Sequence, residues 1–578
     1  MAERKTFSKE EATAWAAPNY WDAVALCLVL GVIVLLAWGA RQMATPYQVG
    51  QPIAISLSPL HLPYYALRSL LRLVIALIFS FIFTFIFGTL AARSRYAERI
   101  IIPLIDVFQS VPVLGYLAIT VVIFIELFPN SMLGPECAAI LAIFTSQVWN
   151  ITLSFYQSLR TVPAELKEAA DMFQLSNWQR FWKVEVPFAM PGLLWNAMLS
   201  MSASWFFVVA AESITVSNQT INLPGIGSYI ALAIEHMNLQ AIGYAILTML
   251  IVILLYDQLL FRPLNQWIGR FKFEQDSEEE EPTAWLIDLF QRTRFLRRLG
   301  ILVARMWGFF VNFPLLSHPS KVHQKIVSEK REYRLFLSWN LFLLVLGAVA
   351  LIILLRFVFY YLTLDTAKHV LVLGLITGLR VFVLIILSSL LWVPIGVWIG
   401  LRPRVIQYAQ PIIQFLAAFP ANLLFPIVVI AIVKFNLNVN IWVSPLMVLG
   451  TQWYILFNVI AGVSALPQDL KQAAKNLQVS GWLWWRKLIF PGIFPYFVTG
   501  AITAAGGAWN ASIIAEVVSW GNTTLRATGL GAYITHYARV GGFPQLALGI
   551  GVMCLFVILI NHLLWQPLYN YAEERFRF

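Results

Sequence analysis

Long apolar runs constrain this chain more than any other feature of its sequence. An α-helix needs roughly 20 mostly apolar residues to cross about 30 Å of hydrocarbon, and only 12% of these residues are charged, against about 25% in a soluble domain. The sequence therefore predicts an all-α integral membrane protein with about twelve transmembrane helices. The expected spans are 23–40, 66–92, 103–127, 136–157, 189–211, 241–261, 335–360, 370–400, 405–433, 444–462, 493–515 and 545–563.

The two sets of six spans repeat each other. A shift of 304 positions aligns tryptophans, prolines, glycines and a glutamate, and a shift of 308 aligns residues nearer the start of each half. We predict a first half at 1–262, a cytoplasmic linker at 263–334 and a second half at 335–578, with a pathway between two halves of equal orientation. The aligned pairs include Arg72/Arg380, Pro112/Pro420, Pro163/Pro467, Pro187/Pro491, Trp205/Trp509, Glu212/Glu516, Gly225/Gly529 and Gly227/Gly531.

The net charge of +11 could indicate nucleic acid, but its distribution argues for membrane topology. Most Lys and Arg fall in segments on one side of the predicted spans, which predicts that this side and both termini are cytoplasmic, in a bacterial inner membrane. Loops on the other side hold Arg41, Lys368, Lys434, Arg526 and Arg539. The linker alternates Arg294, Arg297, Arg298 and Arg305 with apolar residues at helical spacing, which fits either a helix on an anionic leaflet or a helix packed on its own protein.

A polar loop between the fourth and fifth spans recurs in both halves, at 163–187 and at 467–491. Pro163 and Pro467 suit the first turn of a helix. Apolar and small residues then follow at helical spacing on one face, and Ser176 with Gln179 fits a capping box. The first face carries Leu166, Ala169, Ala170 and Phe173, and the second carries Leu470, Ala473, Ala474 and Leu477.

These loops resemble the EAA motif of permease subunits of binding-protein-dependent ABC importers, through Glu168-Ala169-Ala170 to Pro187 and through Gln472-Ala473-Ala474 to Pro491. The sequence departs from the motif where Gln174 and Gln478 replace its glycine and Gln472 replaces its Glu. Because a non-Gly residue in a left-handed turn costs roughly 1 kcal/mol, we expect the turn to differ from the family shape.

A second resemblance narrows the family branch. Ala211-Glu212 before Pro224-Gly225-Ile226-Gly227, and Ala515-Glu516 before Thr528-Gly529-Leu530-Gly531, look like the signature of nitrate, sulfonate and taurine permeases. The resemblance implies a fused, duplicated permease with the type I ABC importer transmembrane fold. It also implies two copies of an ABC ATPase subunit, which bind ATP and Mg, and a periplasmic or lipid-anchored substrate-binding protein. The cargo stays open among nitrate, bicarbonate, sulfonates and other small anions.

The sequence contains no P-loop, no catalytic triad and no metal-binding spacing, so we expect neither an enzyme nor a bound cofactor. The candidates for a pathway or gate are polar or small residues near the ends of spans. Arg72 and Arg380 fit either an anion contact or a tie to Glu212 and Glu516, which we assign to gate structure. Trp205 and Trp509 fit helix packing or a gate, and Gly225, Gly227, Gly529 and Gly531 a non-helical re-entrant stretch.

Two other classes of protein remain open from the sequence. An ion-gradient-driven secondary transporter would place acidic or basic relays at the middle of the spans. A membrane enzyme or scaffold would use the amphipathic linker as its organising element. Association of the loops with an ATPase separates both classes from the importer.

Overall fold

The computed structural model describes residues 20–43, 45–47, 53–216, 219–269, 293–313, scattered positions between 338 and 360, and residues 363–576. The predicted span 335–360 and most of the linker 263–334 therefore lie largely outside the described residues. Where it is described, the chain is helical apart from two short hairpins and the connecting loops.

The first half begins with long helices that cover the predicted spans. A short extended segment after α1 pairs Pro46 with Ser131 at the start of α5. The helices are α1 (Tyr20–Met43), α2 (Pro59–Arg93), α3 (Arg95–Ser110), α4 (Val113–Leu127) and α5 (Leu133–Arg160).

The remainder of the first half contains the predicted loop and a hairpin. Helix α6 (Ala164–Met172) lies in the loop 163–187, and α7 (Asn177–Glu212) leads from the loop into strands β1 (Ser213–Val216) and β2 (Gln219–Asn222). The strands are antiparallel, with Ser213 opposite Asn222. Helices α8 (Ile226–Glu235) and α9 (Leu239–Leu264) complete the half.

The second half repeats this order after the linker helix α10 (Arg294–Val311). Its strands β3 (Val517–Trp520) and β4 (Thr523–Arg526) pair Val517 with Arg526. Its helices are α11 (Leu364–Gly400), α12 (Pro403–Ala418), α13 (Phe425–Lys434), α14 (Val439–Trp442), α15 (Trp453–Ser464), α16 (Gln468–Asn476), α17 (Gly481–Ala515), α18 (Leu530–Val540) and α19 (Phe543–Ala572).

Seven helices of the described residues are long and apolar enough to cross a membrane, and two bent pairs raise the number to nine. The chain is therefore a multi-pass membrane protein. The bends measure 101° between α3 and α4 and 80° between α12 and α13. Each bend lies at a repeat-matched proline, Pro112 or Pro420. The residue before a proline is driven out of the helical region, and Val111 and Phe419 are extended with ψ near 125°.

The prediction of one continuous helix at 444–462 is wrong. A short turn of helix at Ser444–Met447 is followed by hydrogen-bonded turns, and the helix α15 begins only at Trp453. Gly450 lies in this interrupted stretch and is a poor helix former, which fits the break.

Four wide helical turns recur at repeat-matched positions, at Phe181–Glu185, Asp257–Phe261, Trp485–Ile489 and Asn561–Trp565. A proline follows each turn by two positions: Pro187, Pro263, Pro491 and Pro567. A proline ring clashes with the carbonyl four residues earlier, which here always belongs to the wide turn. The extra width relieves that clash, so the prolines explain why the long helices continue through these points.

The two halves meet at the hairpin end of the molecule. The backbone N–H of Val113 donates to Asn510 across 2.8 Å, and the N–H of Gly521 in the second hairpin donates to the carbonyl of Ile234 across 3.0 Å. Helices α7 and α17 each run from a predicted loop to a hairpin. The loops 163–187 and 467–491 therefore lie at the ends of these helices that are opposite to the hairpins.

Candidate functional site

The turn after each loop helix is left-handed, with a glutamine where the family motif has glycine. Gln174 and Gln478 both have φ 51°. The N–H of Leu175 donates to Ala170 and that of Gln174 donates to Asp171, and Val479 and Gln478 repeat these bonds in the second loop. This is the Schellman arrangement that normally favours glycine. The turn is therefore left-handed although its residue is glutamine, and the expectation that it differs from the family shape stays a prediction.

The loop helices expose apolar side chains at their ends. Met172 and Phe173 are 84% and 79% exposed, and Leu477 is 77% exposed. Ala170 is instead buried, so the predicted single face of α6 is divided between the protein interior and the surface. Exposed apolar side chains on a polar loop are a common feature of interaction surfaces.

The other predicted loop residues lie at or near the same surface. Glu168, Gln472 and Ala473 are exposed, while Ala169 and Ala474 are half-buried. Burial lowers the pKa of the neighbouring Lys471 below its usual value. Pro187 and Pro491 lie in the first turns after the wide segments of α7 and α17. The two loops therefore present similar but not identical surfaces.

The linker helix α10 contacts only the first of these loops among the described residues. Trp307 and Phe310 pack edge-on against Trp182 and Trp178, with ring centroids 4.9 and 5.1 Å apart. The indole N–H of Trp178 donates to the carbonyl of Phe310. The same helix leaves Leu302, Val303, Met306 and Phe309 exposed, so one side of α10 packs on the protein and the other side is uncovered.

In the first half, Arg72 and Glu212 belong to a buried ion network. Arg72 binds Glu136 through two nitrogens at 2.6 and 2.7 Å, and its third nitrogen donates to Glu212 across 2.6 Å. Arg68 also pairs with Glu136, and Ser69 donates to Glu212. The network joins α2, α5 and the end of α7, and solvent does not reach it.

Glu212 also organises the glycine segment that follows the hairpin. The N–H of Gly227 donates to its carboxylate across 2.7 Å. A Cβ on Gly225 would collide with the Glu212 carboxyl group, and a Cβ on Gly227 would collide with the Val209 carbonyl. Both positions therefore need glycine because of close approach.

The second half builds a smaller version of the same network. Arg380 donates to Glu516 across 3.2 Å and to Asn440 across 3.1 Å, and Thr377 donates to Glu516 across 2.8 Å. Gly529 and Gly531 face the Glu516 carboxyl group and the Ser512 carbonyl in the same way as their counterparts.

The prediction that these glycines form a non-helical stretch is wrong for Gly227 and Gly531. Both lie in the first turn of a helix, after the extended residues Gly225 and Gly529. The non-helical segment is the hairpin just before them. Its β-branched residues, such as Ile214, Thr215 and Val216, favour a strand.

Glu136 and its pairing with Arg68 were not predicted from the sequence. Where the first half has Arg68 and Glu136, the second has Ile376 and Asn440. One cation and one anion are therefore absent together, so each cluster keeps a balanced charge. The sequence did contain a signal for this network. It was a glutamate in the first turn of one predicted span, together with two arginines on another span.

Trp205 and Trp509 lie inside the helix packing. Trp205 is fully buried, with its ring 6.1 Å from that of Tyr256, and Trp509 stacks on Phe556 at 6.3 Å. A Cβ on Gly378 of α11 would meet the Trp509 ring at 3.3 Å, which brings α11 close to α17. In this conformation both rings fill space between helices.

A cavity of about 330 Å³ lies between the halves at the hairpin end. Most of its wall is apolar and comes from α4, α7, α8, α13, α17 and α18 and the two hairpins. The polar lining residues are Ser213, Thr215, Asn422, Ser519, Thr535 and Arg539. None of the residues predicted for the pathway except Gly227 touches this cavity.

Two similar helical halves, with paired exposed loops at one end and a shared cavity at the other, define a duplicated multi-pass membrane protein. The chain matches the family described as binding-protein-dependent transport system inner membrane component, over residues 82–260 and 392–566. Because the two matches together cover more than half of the chain, it belongs to this family.

Its relatives include permeases named for small anions. The bicarbonate transport system permease protein CmpB of a Synechocystis species is 32% identical over 135 residues, which are 23% of this chain and 47% of CmpB. The nitrate import permease protein NrtB of Leptolyngbya laminosa is 28% identical over 184 residues, 32% of this chain and 62% of that relative. NrtB of Synechocystis is 25% identical over 248 residues, 41% of this chain and 85% of that relative. The chain spans about half the length of the CmpB relatives that it matches.

Proposed function

We propose that this chain is the permease of an ABC importer and that it supplies both transmembrane halves in one polypeptide. Two copies of an ATPase subunit dock on the loops 163–187 and 467–491 and carry the ATP and Mg. The observation that carries the proposal is the pair of exposed apolar helix ends, Met172 with Phe173 and Leu477, at one end of a family permease.

The same helices provide a route for mechanical coupling. Each loop leads into a helix, α7 or α17, that continues through the core to the opposite end of its half. There Glu212 and Glu516 hold the glycine segments beside the cavity. A displacement of a loop by nucleotide-driven closure of the ATPases would therefore move the residues that bound the cavity, with no flexible connection between.

The orientation follows from charge. The basic side of the spans faces the cytoplasm of a bacterial inner membrane, with both termini on that side. The loops then meet the ATPases inside the cell, and the hairpin end meets a periplasmic or lipid-anchored substrate-binding protein. The exposed apolar residues of α10 lie against membrane lipid, and no nucleic acid is involved.

The cargo that the chain fits best is a small anion such as nitrate, bicarbonate or a sulfonate. Relatives are named for bicarbonate and nitrate. Arg539, a cation, lines the cavity between the halves, and no carboxylate is among its lining residues. Low-dielectric walls strengthen the attraction of such a cation for an anion.

The ATPase contact is tested by substituting the exposed apolar ends. We expect Phe173→Asp and Leu477→Asp each to reduce the ATPase that copurifies with the chain, and the double variant to lose nearly all of it, because a charge would be buried in each interface. Phe435→Asp is the matched control, since Phe435 is also an exposed ring, 66% exposed, after α13 near the other end. Full retention of the ATPase by the double variant would refute the assigned docking surface.

Transport distinguishes the importer from the other classes. Proteoliposomes that contain the chain, its ATPase and its binding protein should accumulate the anion with ATP and not with an imposed ion gradient. Uptake driven by the gradient alone would identify a secondary transporter. The absence of any uptake by a correctly assembled complex would favour an enzyme or scaffold.

A further inference from the structure

The arginine in the cavity between the halves differs from the buried arginines of the ion networks. Arg68, Arg72 and Arg380 each donate to a carboxylate. Arg539 lies on α18 and makes no hydrogen bond or ion pair within the part of the chain that the structure describes. The charged group that acts on it most directly is Arg526, which has the same sign.

A half-buried cation with no partner is unfavourable, since the charge loses hydration without gaining an opposite charge. Arg539 is half-buried, so folding does not explain its position. An anion in the cavity would compensate the charge.

The internal repeat supports a special role for this side chain. The position in the first half that matches Arg539 is Glu235, and the position that matches Arg526 is Asn222. The fold therefore accepts an acidic side chain at the same place on the same helix. The fold therefore does not require a cation at this position. Only the second half places one there, and it lines the shared cavity.

Asn422 gives a second and independent indication of a polar ligand. It lines the same cavity from the other side, at the bend before α13. Its side-chain oxygen is buried and has no partner among the described residues. Because an amide can turn to present either its oxygen or its N–H groups, Asn422 can donate to an anion that Arg539 holds.

The size of the cavity suits a small ligand. Its volume of about 330 Å³ is at the lower end of the range of ligand pockets, roughly 300–1,000 Å³. A planar oxyanion together with a few water molecules would fill it. Thr535 uses its hydroxyl proton on the Ile513 carbonyl, so the guanidinium of Arg539 remains the only charged donor in the lining.

We propose that Arg539, assisted by the Asn422 amide, is the specificity-determining contact for a small oxyanion in the cavity between the two halves. This rests on the proposed function, an importer of small anions. The planar fork of the guanidinium donates two parallel hydrogen bonds to two oxygens of nitrate, bicarbonate or a sulfonate. The apolar wall provides no further charge, so transfer onward requires only that these bonds break as the cavity changes shape.

The test uses the complete complex of chain, ATPase and binding protein in proteoliposomes, with nitrate, bicarbonate and taurine as separately labelled cargoes. The variants are Arg539→Gln, Arg539→Lys and Arg539→Glu, with Arg526→Gln as the control for an exposed cation of the same half. We expect Arg539→Gln to reduce uptake of the transported anion by about 10- to 100-fold, the value of a hydrogen-bonded charge, while ATP hydrolysis stimulated by the binding protein continues.

The remaining variants separate a specific contact from a structural effect. Arg539→Lys should retain part of the uptake because it keeps the charge, and Arg539→Glu, which repeats the first-half residue, should abolish uptake in an assembled complex. Arg526→Gln should change uptake less than about threefold, with the effect removed by salt. If wild-type transport is ATP-dependent but Arg539→Gln transports the anion normally, the inference is wrong and the proposed function stands. If wild type does not transport with ATP, the proposed function itself fails.

Discussion

Arg72 donates to Glu212 across 2.6 Å in a site that solvent does not reach. The matching pair in the second half, Arg380 and Glu516, is longer at 3.2 Å, and the Arg380 side chain remains 14% exposed. The same repeat position thus has a fully enclosed ion pair in one half and a partly accessible one in the other.

This difference predicts unequal effects of removing the two arginines. Arg72→Met should destabilise the protein by about 3–5 kcal/mol, because Glu212 would lose its only basic partner in the site, and Glu136 one of two, in a buried environment. Arg380→Met should have a smaller effect, since water reaches part of its site. The measurement is thermal unfolding in detergent, followed by tryptophan fluorescence. Equal losses for the two variants would show that burial does not control the energetics here.

The second half lacks the charged pair that Arg68 and Glu136 form in the first half. This suggests that the two residues can be replaced together by uncharged ones. Arg68→Ile and Glu136→Asn should each destabilise the first half, because each leaves an unbalanced charge in the network. The double variant copies Ile376 and Asn440 and should recover most of the loss, since replacing a buried pair is often nearly neutral. A double-mutant cycle on the unfolding midpoint measures the coupling. Additive losses would contradict the charge-balance explanation.

A feature of this protein could be predicted from the sequence when its signal lies within one stretch of the chain, and not when it depends on contacts between distant helices. Apolar runs, the prolines and the aligned tryptophans are contained in the sequence itself, so the membrane class and the duplication could be predicted. Glu136 could not be assigned in the same way, because its contact with Arg72 depends on how α2 packs on α5. The hairpins were also missed, since strands of four residues are too short to give a periodic signal.

The glycine segments show a further limit of prediction from sequence. Gly225 and Gly529 were singled out from the sequence for an unusual backbone, whereas in the structure a side chain there would collide with the carboxyl groups of Glu212 and Glu516. Glycine suggests an unusual backbone and equally a close approach, and the sequence alone does not distinguish the two. The three-dimensional neighbours decide it.

The left-handed glutamines predict a stabilising substitution. Gln174→Gly and Gln478→Gly should each stabilise the turn after the loop helix by about 1 kcal/mol, because glycine adopts φ near 51° without a steric penalty. Slower amide exchange in α6 and α16 would report it. The matched control is Gln157→Gly, in the last helical turn of α5, which should be destabilising by up to about 1 kcal/mol. Faster exchange in the two turn variants would contradict the assignment of strain.

Among the described residues, the linker helix α10 is attached to the first loop only. Trp178 holds α10 through its ring contact with Phe310 and its hydrogen bond to the Phe310 carbonyl. Trp182 and Asn312 add a second ring contact with Trp307 and polar contacts with Gln179 and Lys183. Trp178→Ala should therefore increase amide exchange at 294–311 without affecting the second loop helix at 468–476.

The repeat supplies the control for this experiment. Trp482 matches Trp178 by position, is 71% exposed, and has a ring contact with Phe490 of α17, at 6.1 Å between the centroids. Trp482→Ala should leave exchange at 294–311 unchanged, because no part of α10 contacts it among the described residues. If neither variant loosens α10, the helix is held by the membrane surface and not by the first loop. Equal loosening by both variants would contradict an attachment to the first loop alone.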